Sequence, residues 1–141
     1  MTSPKKSEFH GSCHCGAVRY QCASAPTFQF VCHCRNCQRL NGGLRLGGLS
    51  FDASALRVQG PTQIYRYAGG QAAIEAHFCG HCGTPLFAFP QAHPGVVVVR
   101  ANSLDDPADF QPEKSMYRKN VCAWERPVSP PTWRPPPPPG Q

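Results

Sequence analysis

The sequence predicts an all-β domain built from small packed sheets. Short segments of alternating or β-branched apolar residues recur at intervals of roughly ten residues, with glycine or proline between them. No window of eleven or more residues shows a helical period. The 141 residues include 16 prolines and 13 glycines. We therefore expect abundant turns, and the length predicts one domain.

The strands follow from local patterns along the chain. After a turn at residue 11, the alternation of Val18, Tyr20 and Cys22 predicts a strand, since these side chains would share one face. Glycines within 44–51 indicate a bulge or the close approach of another backbone, and Gly60-Pro61 predicts a turn between strands. Residues 38–43 and 105–110 are each expected to hold one helical turn at most. The remaining strands are predicted at 28–32, 56–58, 64–67, 73–78, 86–89 and 96–101.

The two ends differ in composition from the domain, which we place at residues 9–125. Residues 1–8 are polar and predict a disordered lead without a strand. Residues 126–141 are proline-rich and predict a disordered tail, with docking to a proline-recognising domain as a further use. We expect Trp124, just before the tail, to pack back on the domain.

Nine cysteines, an odd number at uneven spacing, argue against a disulfide framework. The N-terminus lacks the apolar core of a signal peptide, and the longest apolar runs are far too short to span a membrane. These observations predict a protein of a reducing compartment, the cytoplasm, with no membrane partner. The oligomeric state is not predicted.

The formal charge of +6 does not indicate a nucleic-acid partner. Lysine and arginine are scattered rather than clustered. If seven cysteines bound two zinc ions, seven thiolate charges and four metal charges would lower the net charge to +3. We therefore predict no nucleic-acid partner.

Residues 32–37, CHCRNC, are the most informative stretch. Cys32, Cys34 and Cys37 are too close in sequence to lie far apart, and crowded thiols in a reducing compartment usually hold a metal. Three ligands leave a tetrahedral zinc one position open, as in a catalytic site. If Cys22, Cys122 or His33 supplied a fourth ligand, the site would instead be closed.

Two further cysteine pairs, Cys13-x-Cys15 and Cys79-x-x-Cys82, are flanked by glycines. Glycine suits a knuckle in which backbone N–H groups point at thiolate sulfurs. Two knuckles make a closed, structural site of four thiolates, and a disulfide between the pairs is the alternative. Cys22 and Cys122 stand alone, which is typical of small buried apolar side chains.

Three motifs together resemble the family of glutathione-dependent formaldehyde-activating enzymes and centromere protein V. They are GSCHCGAVRY at 11–20, CHCRNCQR at 32–39 and FCGHCGTPLF at 78–87, and NSLDDPADF at 102–110 resembles the segment after the family's late strand. The resemblance covers roughly residues 9–125. It implies the β-tent, an arrangement of small antiparallel sheets stabilised by zinc.

The resemblance also implies site residues and an activity. Cys13, Cys15, Cys79 and Cys82 match the family's structural zinc site, and Cys32, Cys34 and Cys37 match its open catalytic zinc site. The implied activity is carbon–sulfur lyase chemistry on S-hydroxymethylglutathione, with a thiol such as glutathione as the small-molecule partner. The loop at 40–49, LNGGLRLGGL, is richer in glycine than in many relatives.

Four other residues are candidates for supporting roles. Arg35 and Arg39 would neutralise the thiolates or bind a substrate carboxylate, or would simply be solvated. His33 and His77 titrate near neutral pH, and His33 should point away from its neighbours as a second-sphere or surface residue. No residue is identified as a general base.

Three functional hypotheses follow from these residues. The first is a zinc-dependent lyase acting on a thiol–aldehyde adduct. The second is a zinc-stabilised, non-catalytic binding module that engages partners through the tail. The third is a redox protein using Cys34-x-x-Cys37, for which a thioredoxin-like βαβ pattern is expected and none is visible.

Overall fold

The computed structural model describes residues 6–70, 72–126 and 135–140. Within these residues the chain forms ten strands and one α-helix, so the predicted all-β class is confirmed. The helix α1 (Arg35–Asn41) lies between β3 and β4. The strands are β1 (Phe9–Ser12), β2 (Arg19–Cys22), β3 (Phe28–Cys32), β4 (Leu46–Asp52), β5 (Leu56–Gln59), β6 (Thr62–Gly69), β7 (Ala72–Cys79), β8 (Pro85–Pro90), β9 (Val96–Arg100) and β10 (Lys114–Met116).

The strands form two sheets. A three-stranded antiparallel sheet has the order β1-β2-β5, and a seven-stranded sheet has the order β10-β3-β4-β9-β8-β7-β6. Neighbours in the larger sheet are antiparallel except for β10, which runs parallel to β3. Strand β3 is therefore held from both sides, and it ends at Cys32.

The core lies where the two sheets pack together. Phe9 of the small sheet contacts Phe51 of the large one edge to face, with ring centroids 5.3 Å apart. Tyr20 packs on Phe87 in the same way at 6.0 Å. The Tyr20 hydroxyl is satisfied by Ser103 Oγ at 2.6 Å, so this aromatic residue can be buried without leaving an unpaired polar group.

Two predicted backbone features are explained by the structure. Gly60 has a φ of +98° at the turn expected before Pro61, a conformation that favours glycine. In β4, a Cβ on Gly48 would lie 2.5 Å from the ring of Phe30. The close approach predicted for this strand is therefore real, but the approaching group is a side chain rather than a backbone.

Several expectations about the chain need correction. No strand was expected before residue 11, yet β1 begins at Phe9, whose side chain is buried in the core. The helix α1 begins at Arg35, three residues earlier than the predicted helical turn, because it is capped by Cys34. Strand β10 was not predicted, since Lys114–Met116 lacks an apolar alternation.

The segment before the tail also differs from its prediction. Trp124 is not buried against the domain as expected: the residue is 70% exposed. Most of the tail prediction, at 127–134 and 141, lies outside the described residues, as do residues 1–5 of the predicted lead. Among the described residues, no helix has the length and apolar character needed to cross a bilayer.

Candidate metal centres and active site

Four cysteines from distant parts of the chain meet in one cluster. Cys13 and Cys15 lie in the loop between β1 and β2, and Cys79 and Cys82 lie at the end of β7 and in the turn that follows. Their four sulfur atoms all lie within 4.8 Å of one another. The Sγ atoms of Cys13 and Cys15 are 3.5 Å apart, and those of Cys15 and Cys79 are 3.8 Å apart. Four thiols at this spacing can surround one metal ion.

The backbone around this cluster points N–H groups at the sulfurs, as expected for knuckles. The N–H of Val18 donates to Cys13 Sγ at 3.2 Å, and the N–H of Cys82 donates to Cys79 Sγ at 3.5 Å. Such hydrogen bonds orient thiolate ligands and stabilise their charge.

Thr84 joins the two knuckles and was missed by the sequence analysis. Its hydroxyl lies 3.2 Å from Cys82 Sγ and accepts a hydrogen bond of 3.0 Å from the N–H of His14. The available signal was a hydroxyl residue two positions after the second cysteine of CGHCGT. Thr84 therefore contacts both halves of the cluster.

The second cluster is local in the chain. Cys32 ends β3, Cys34 is the N-cap of α1, and Cys37 lies in the first turn of that helix. Their sulfurs also lie within 4.8 Å of one another. Cys34 Sγ accepts the N–H of Cys37 at 3.3 Å, so the cap that starts the helix also fixes the sulfur. At the other end, Gly42 stops the helix in the left-handed conformation with a φ of 70°.

The residues proposed as a fourth ligand are not part of this second cluster. Among the described residues, the groups able to hold a metal include neither Cys22, Cys122 nor His33. Cys22 is fully buried, as expected for a lone cysteine, whereas Cys122 is half-buried. The cluster therefore offers three sulfur ligands from this part of the chain.

The protonation of the thiols shows that both clusters suit a cation. Hydrogen bonds from the Thr84 hydroxyl and backbone lower the pKa of Cys82 to about 5. A hydrogen bond from the Cys37 thiol lowers the pKa of Cys32 to about 6, and the pKa of Cys37 is raised because the Cys32 thiolate holds its proton. Each cluster thus contains a thiol with a lowered pKa beside thiols that still carry protons, and a metal ion can displace those protons. Sulfur ligands favour zinc among the common divalent ions.

His33, between two of the cluster's cysteines, is buried rather than on the surface. Only 2% of the residue is exposed, so the surface alternative was wrong. Its Nδ1 lies 3.3 Å from Oε2 of Glu125, and Glu125 Oε1 lies 3.1 Å from the guanidinium of Arg45. Neither His33 Nδ1 nor that Glu125 oxygen has a hydrogen-bond partner among the described residues, so the two groups are close without a hydrogen bond. The contact joins the end of the domain to the three-cysteine segment.

Arg35 and Arg39 lie on a different face of α1 from Cys37. With Gln38 and Gly42 they follow the helical spacing of one face and line a cleft of about 210 Å³ with Cys122 and Trp124. Arg35 donates to Gln38 Oε1, and Gln38 donates in turn to the carbonyls of His33 and Asn120. Arg35 thus supports the cysteine segment through Gln38.

His77 has both ring nitrogens engaged away from this segment. Its Nδ1 lies 2.8 Å from Thr62 Oγ1 and its Nε2 lies 3.0 Å from Glu75 Oε1. The ring also stacks on Phe87 with centroids 4.9 Å apart. These contacts account for His77 as a packed residue of the sheet.

Comparisons with known proteins identify one family and one similar fold. The family model of the glutathione-dependent formaldehyde-activating enzyme matches residues 8–120. A Halomonas elongata protein named "Putative glutathione-dependent formaldehyde-activating enzyme" is 37% identical over 113 residues, covering 74% of this chain and 70% of the relative. A crystal structure of a Rhodobacter sphaeroides protein has a similar fold, with a TM-score of 0.59 and 23% identity over 76% of this chain and 99% of that one.

Proposed function

This chain belongs to the family of glutathione-dependent formaldehyde-activating enzymes, and we propose that it is a zinc-dependent carbon–sulfur lyase. The substrate is a thiol–aldehyde adduct of the S-hydroxymethylglutathione type, and glutathione is the small-molecule thiol partner. The observation that carries the proposal is the cluster of Cys32, Cys34 and Cys37, which supplies three sulfur ligands at the end of a strand.

The two clusters have different roles in this proposal, with two zinc ions per chain. Cys13, Cys15, Cys79 and Cys82 supply four ligands to a structural ion and leave no position free. Cys32, Cys34 and Cys37 supply three ligands to the catalytic ion. When bound there, zinc supplies an open position that stabilises the sulfur of a substrate as a thiolate.

The reaction divides the adduct into an aldehyde and a thiol. The hydroxyl of the S-hydroxymethyl group loses its proton, the carbon–oxygen double bond forms and the carbon–sulfur bond breaks. The electron pair leaves with sulfur, which becomes a thiolate and takes up a proton on release. The buried contact between His33 and Glu125 holds the segment that carries the cysteines during this exchange.

A reducing compartment, the cytoplasm, fits the seven free ligand thiols that this chemistry requires.

The non-catalytic binding module is the alternative outcome. It is distinguished by a second cluster whose ion has no position for a substrate thiol.

The first test is aldehyde release from S-hydroxymethylglutathione by the zinc-loaded full chain and by Cys34→Ser. We expect the variant to lose at least about 100-fold in kcat/KM, because removing a ligand disrupts the site. Cys122→Ser, which alters a half-buried thiol outside both clusters, is the matched control and should retain full activity. Full activity in Cys34→Ser would rule out the proposed role.

X-ray absorption at the zinc edge tests the open position directly. The parent should show about 3.5 sulfur ligands per zinc, averaged over one four-cysteine and one three-cysteine site. Added glutathione should raise that average towards four. Two zinc ions that already have four sulfurs each and do not respond to thiol would favour the binding module.

A further inference from the structure

Arg100 is a buried cation without an acidic partner. Only 7% of the residue is exposed. Across the described residues, the carboxylates within 4.0 Å of a basic group pair with Lys6, His10, His33, Arg45, Arg66 and His77, and none pairs with Arg100. A buried charge is costly unless an opposite charge compensates it. This arginine therefore needs a negative group that the chain's carboxylates do not supply.

The sheet register places Arg100 near the three-cysteine cluster. Arg100 pairs with Gly48, and Gly48 pairs with Phe30, so the three residues form one row across β9, β4 and β3. Two strand spacings separate the ends of this row by about 10 Å. Cys32 lies two residues beyond Phe30 on the same face of β3. The Arg100 side chain thus lies on the face that leads to the cluster.

Aromatic side chains line the face between them. The lack of a side chain at Gly48 lets the ring of Phe30 lie over the strand beside Arg100. Phe28 stacks on Phe30 with ring centroids 5.6 Å apart, and both are only half-buried. Arg100 therefore adds a cation to an aromatic surface, which is a common composition for a small-molecule site.

Tyr67 lies near both Arg100 and the cluster. Burial raises the pKa of its phenol, the charge and a hydrogen bond of Arg100 oppose that rise, and the electrostatic influence of Cys37 and Cys34 adds to it. The hydroxyl is thus within electrostatic reach of both. Tyr67 also stacks on Tyr65, with centroids 5.7 Å apart, which orients its ring.

We infer that Arg100, assisted by the Tyr67 hydroxyl, binds a carboxylate of the substrate whose sulfur enters the three-cysteine site, and so selects anionic thiols over neutral ones. This inference rests on the proposed function for the position of the sulfur. A guanidinium binds a carboxylate through two parallel hydrogen bonds, and the neighbouring phenol donates a third. Arg35 and Arg39 lie on another face of α1 and are not needed for this contact.

A competing role for Arg100 is to neutralise the cluster, since three thiolates and a divalent ion carry a net charge of −1. The two roles predict different selectivities. Loss of a carboxylate contact lowers kcat/KM only for the adducts of carboxylate-bearing thiols, whereas loss of neutralisation lowers it for the adducts of all thiols alike. A comparison of glutathione with 2-mercaptoethanol, which has no carboxylate, therefore separates them.

The kinetic test compares kcat/KM for the formaldehyde adducts of these two thiols in Arg100→Met. We expect a loss of about 100-fold with the glutathione adduct and less than about threefold with the 2-mercaptoethanol adduct. Arg57→Met, which removes an exposed arginine of the small sheet, is the control and should change neither value. An equal loss with both adducts would overturn the inference and assign Arg100 to neutralisation.

Binding without turnover supplies the second measurement. S-Methylglutathione keeps both carboxylates, but its sulfur can no longer become a thiolate. Calorimetry on the zinc-loaded chain should detect its binding to the parent, a loss of at least about tenfold in Arg100→Met and a smaller loss in Arg100→Lys. If the parent does not bind S-methylglutathione, or if the parent, Arg100→Met and Arg100→Lys bind it equally well, the inference is wrong.

The two proposals can fail separately. Arg100-dependent binding of S-methylglutathione without any aldehyde release would support the inference and reject the lyase. Lyase activity with unchanged thiol selectivity in Arg100→Met would support the lyase and reject the inference.

If Arg100→Met fails to fold or to retain two zinc ions, Tyr67→Phe replaces it in the test, because this substitution removes one oxygen from a half-buried ring. Tyr67→Phe should weaken the binding of S-methylglutathione about fivefold. Unchanged binding in both Tyr67→Phe and Arg100→Lys would overturn the inference.

Discussion

The two cysteine clusters have the same kind of ligand but are built in opposite ways. The four-cysteine cluster joins residues 64 positions apart, Cys15 and Cys79, and connects the loop of the small sheet to the end of β7 in the large sheet. The three-cysteine cluster lies within six residues, at the junction of β3 and α1. A metal in the first closes a long loop, whereas a metal in the second constrains only a local turn.

This difference suggests that the long-range cluster stabilises the fold, whereas the local cluster is suited to chemistry. The long-range cluster is the one whose loss should unfold the domain, because its ligands come from segments of both sheets and connect them. The local cluster already has a strand, a helix cap and the buried contact between His33 and Glu125 beside it. It can therefore leave a ligand position open for a substrate without losing its geometry.

The largest expected effect comes from removing one ligand in each cluster. Structural zinc sites contribute on the order of 10 kcal/mol, comparable to the whole stability of a small domain, about 5–15 kcal/mol. Cys82→Ser should therefore unfold the chain or leave it insoluble. Cys34→Ser should lose one zinc ion yet keep the β-sheet circular dichroism spectrum and melt within about 5 °C of the parent.

Zinc content and thermal melting check this pair of variants. Cys82 is exposed and Cys34 is half-buried, so neither serine leaves a deeply buried hydroxyl that would destabilise the chain by itself. A Cys82→Ser protein that melts like the parent would contradict the structural role of the four-cysteine cluster.

The next effect concerns Glu125, whose carboxylate contacts both His33 and Arg45 beside the three-cysteine cluster. Glu125→Gln removes the charge from this buried contact. Outer partners of metal ligands typically contribute 10–100-fold to metal affinity. We therefore expect zinc to be released that much more readily from the three-cysteine site, with the four-cysteine site unchanged.

Competition with a coloured chelator resolves the two sites as two phases of zinc release. Glu113→Gln is the matched control, because that carboxylate is exposed. If both phases shift together in Glu125→Gln, the contact stabilises the fold in general rather than the local cluster.

A smaller effect is expected at Thr84, which contacts the four-cysteine cluster only. Its hydroxyl helps lower the pKa of Cys82 to about 5, and Thr84→Val removes that hydrogen bond. Because a lowered thiol pKa preserves the thiolate down to acidic pH, the variant should lose its first zinc ion at a pH about one unit higher.

Acid titration of zinc release measures this shift. The control is Thr27→Val, whose hydroxyl donates to the Ser50 carbonyl rather than to a cysteine of either cluster. An unchanged release curve in Thr84→Val would show that the backbone N–H groups alone set the pKa of Cys82.

Local patterns predicted the elements that position both clusters. The alternation of Phe28, Phe30 and Cys32 correctly located β3, and the close spacing of Cys32, Cys34 and Cys37 predicted that these three thiols would meet. Both signals are encoded within a few residues. The family resemblance added the pairing of the two knuckles across the sequence, and the structure brings those four cysteines together.

The features that were missed depend on contacts between distant residues. Glu125 meets His33 from 92 positions away, and Arg100 comes into one row with Phe30 only because β9 pairs with β4. Neither has a local motif. Strand β10 pairs parallel to β3 at the edge of the sheet, where polar residues are tolerated, so it has no apolar period to detect.

The smallest expected effect concerns Cys22, a cysteine of neither cluster, and it sharpens the contrast with the ligand thiols. Burial raises the pKa of Cys22 to about 12 from an ordinary 9.0. The thiol thus stays protonated when folded but ionises when unfolded, so the free energy of unfolding falls as pH rises above about 8.5. Ionisation of this thiol in the unfolded chain should lower the free energy of unfolding by about 1 kcal/mol between pH 8 and pH 9.5.

In Cys22→Ala that part of the pH dependence should disappear. Urea unfolding at both pH values measures it, with Cys122→Ala as the half-buried control. A parent-like slope in Cys22→Ala would mean that another group titrates in this range.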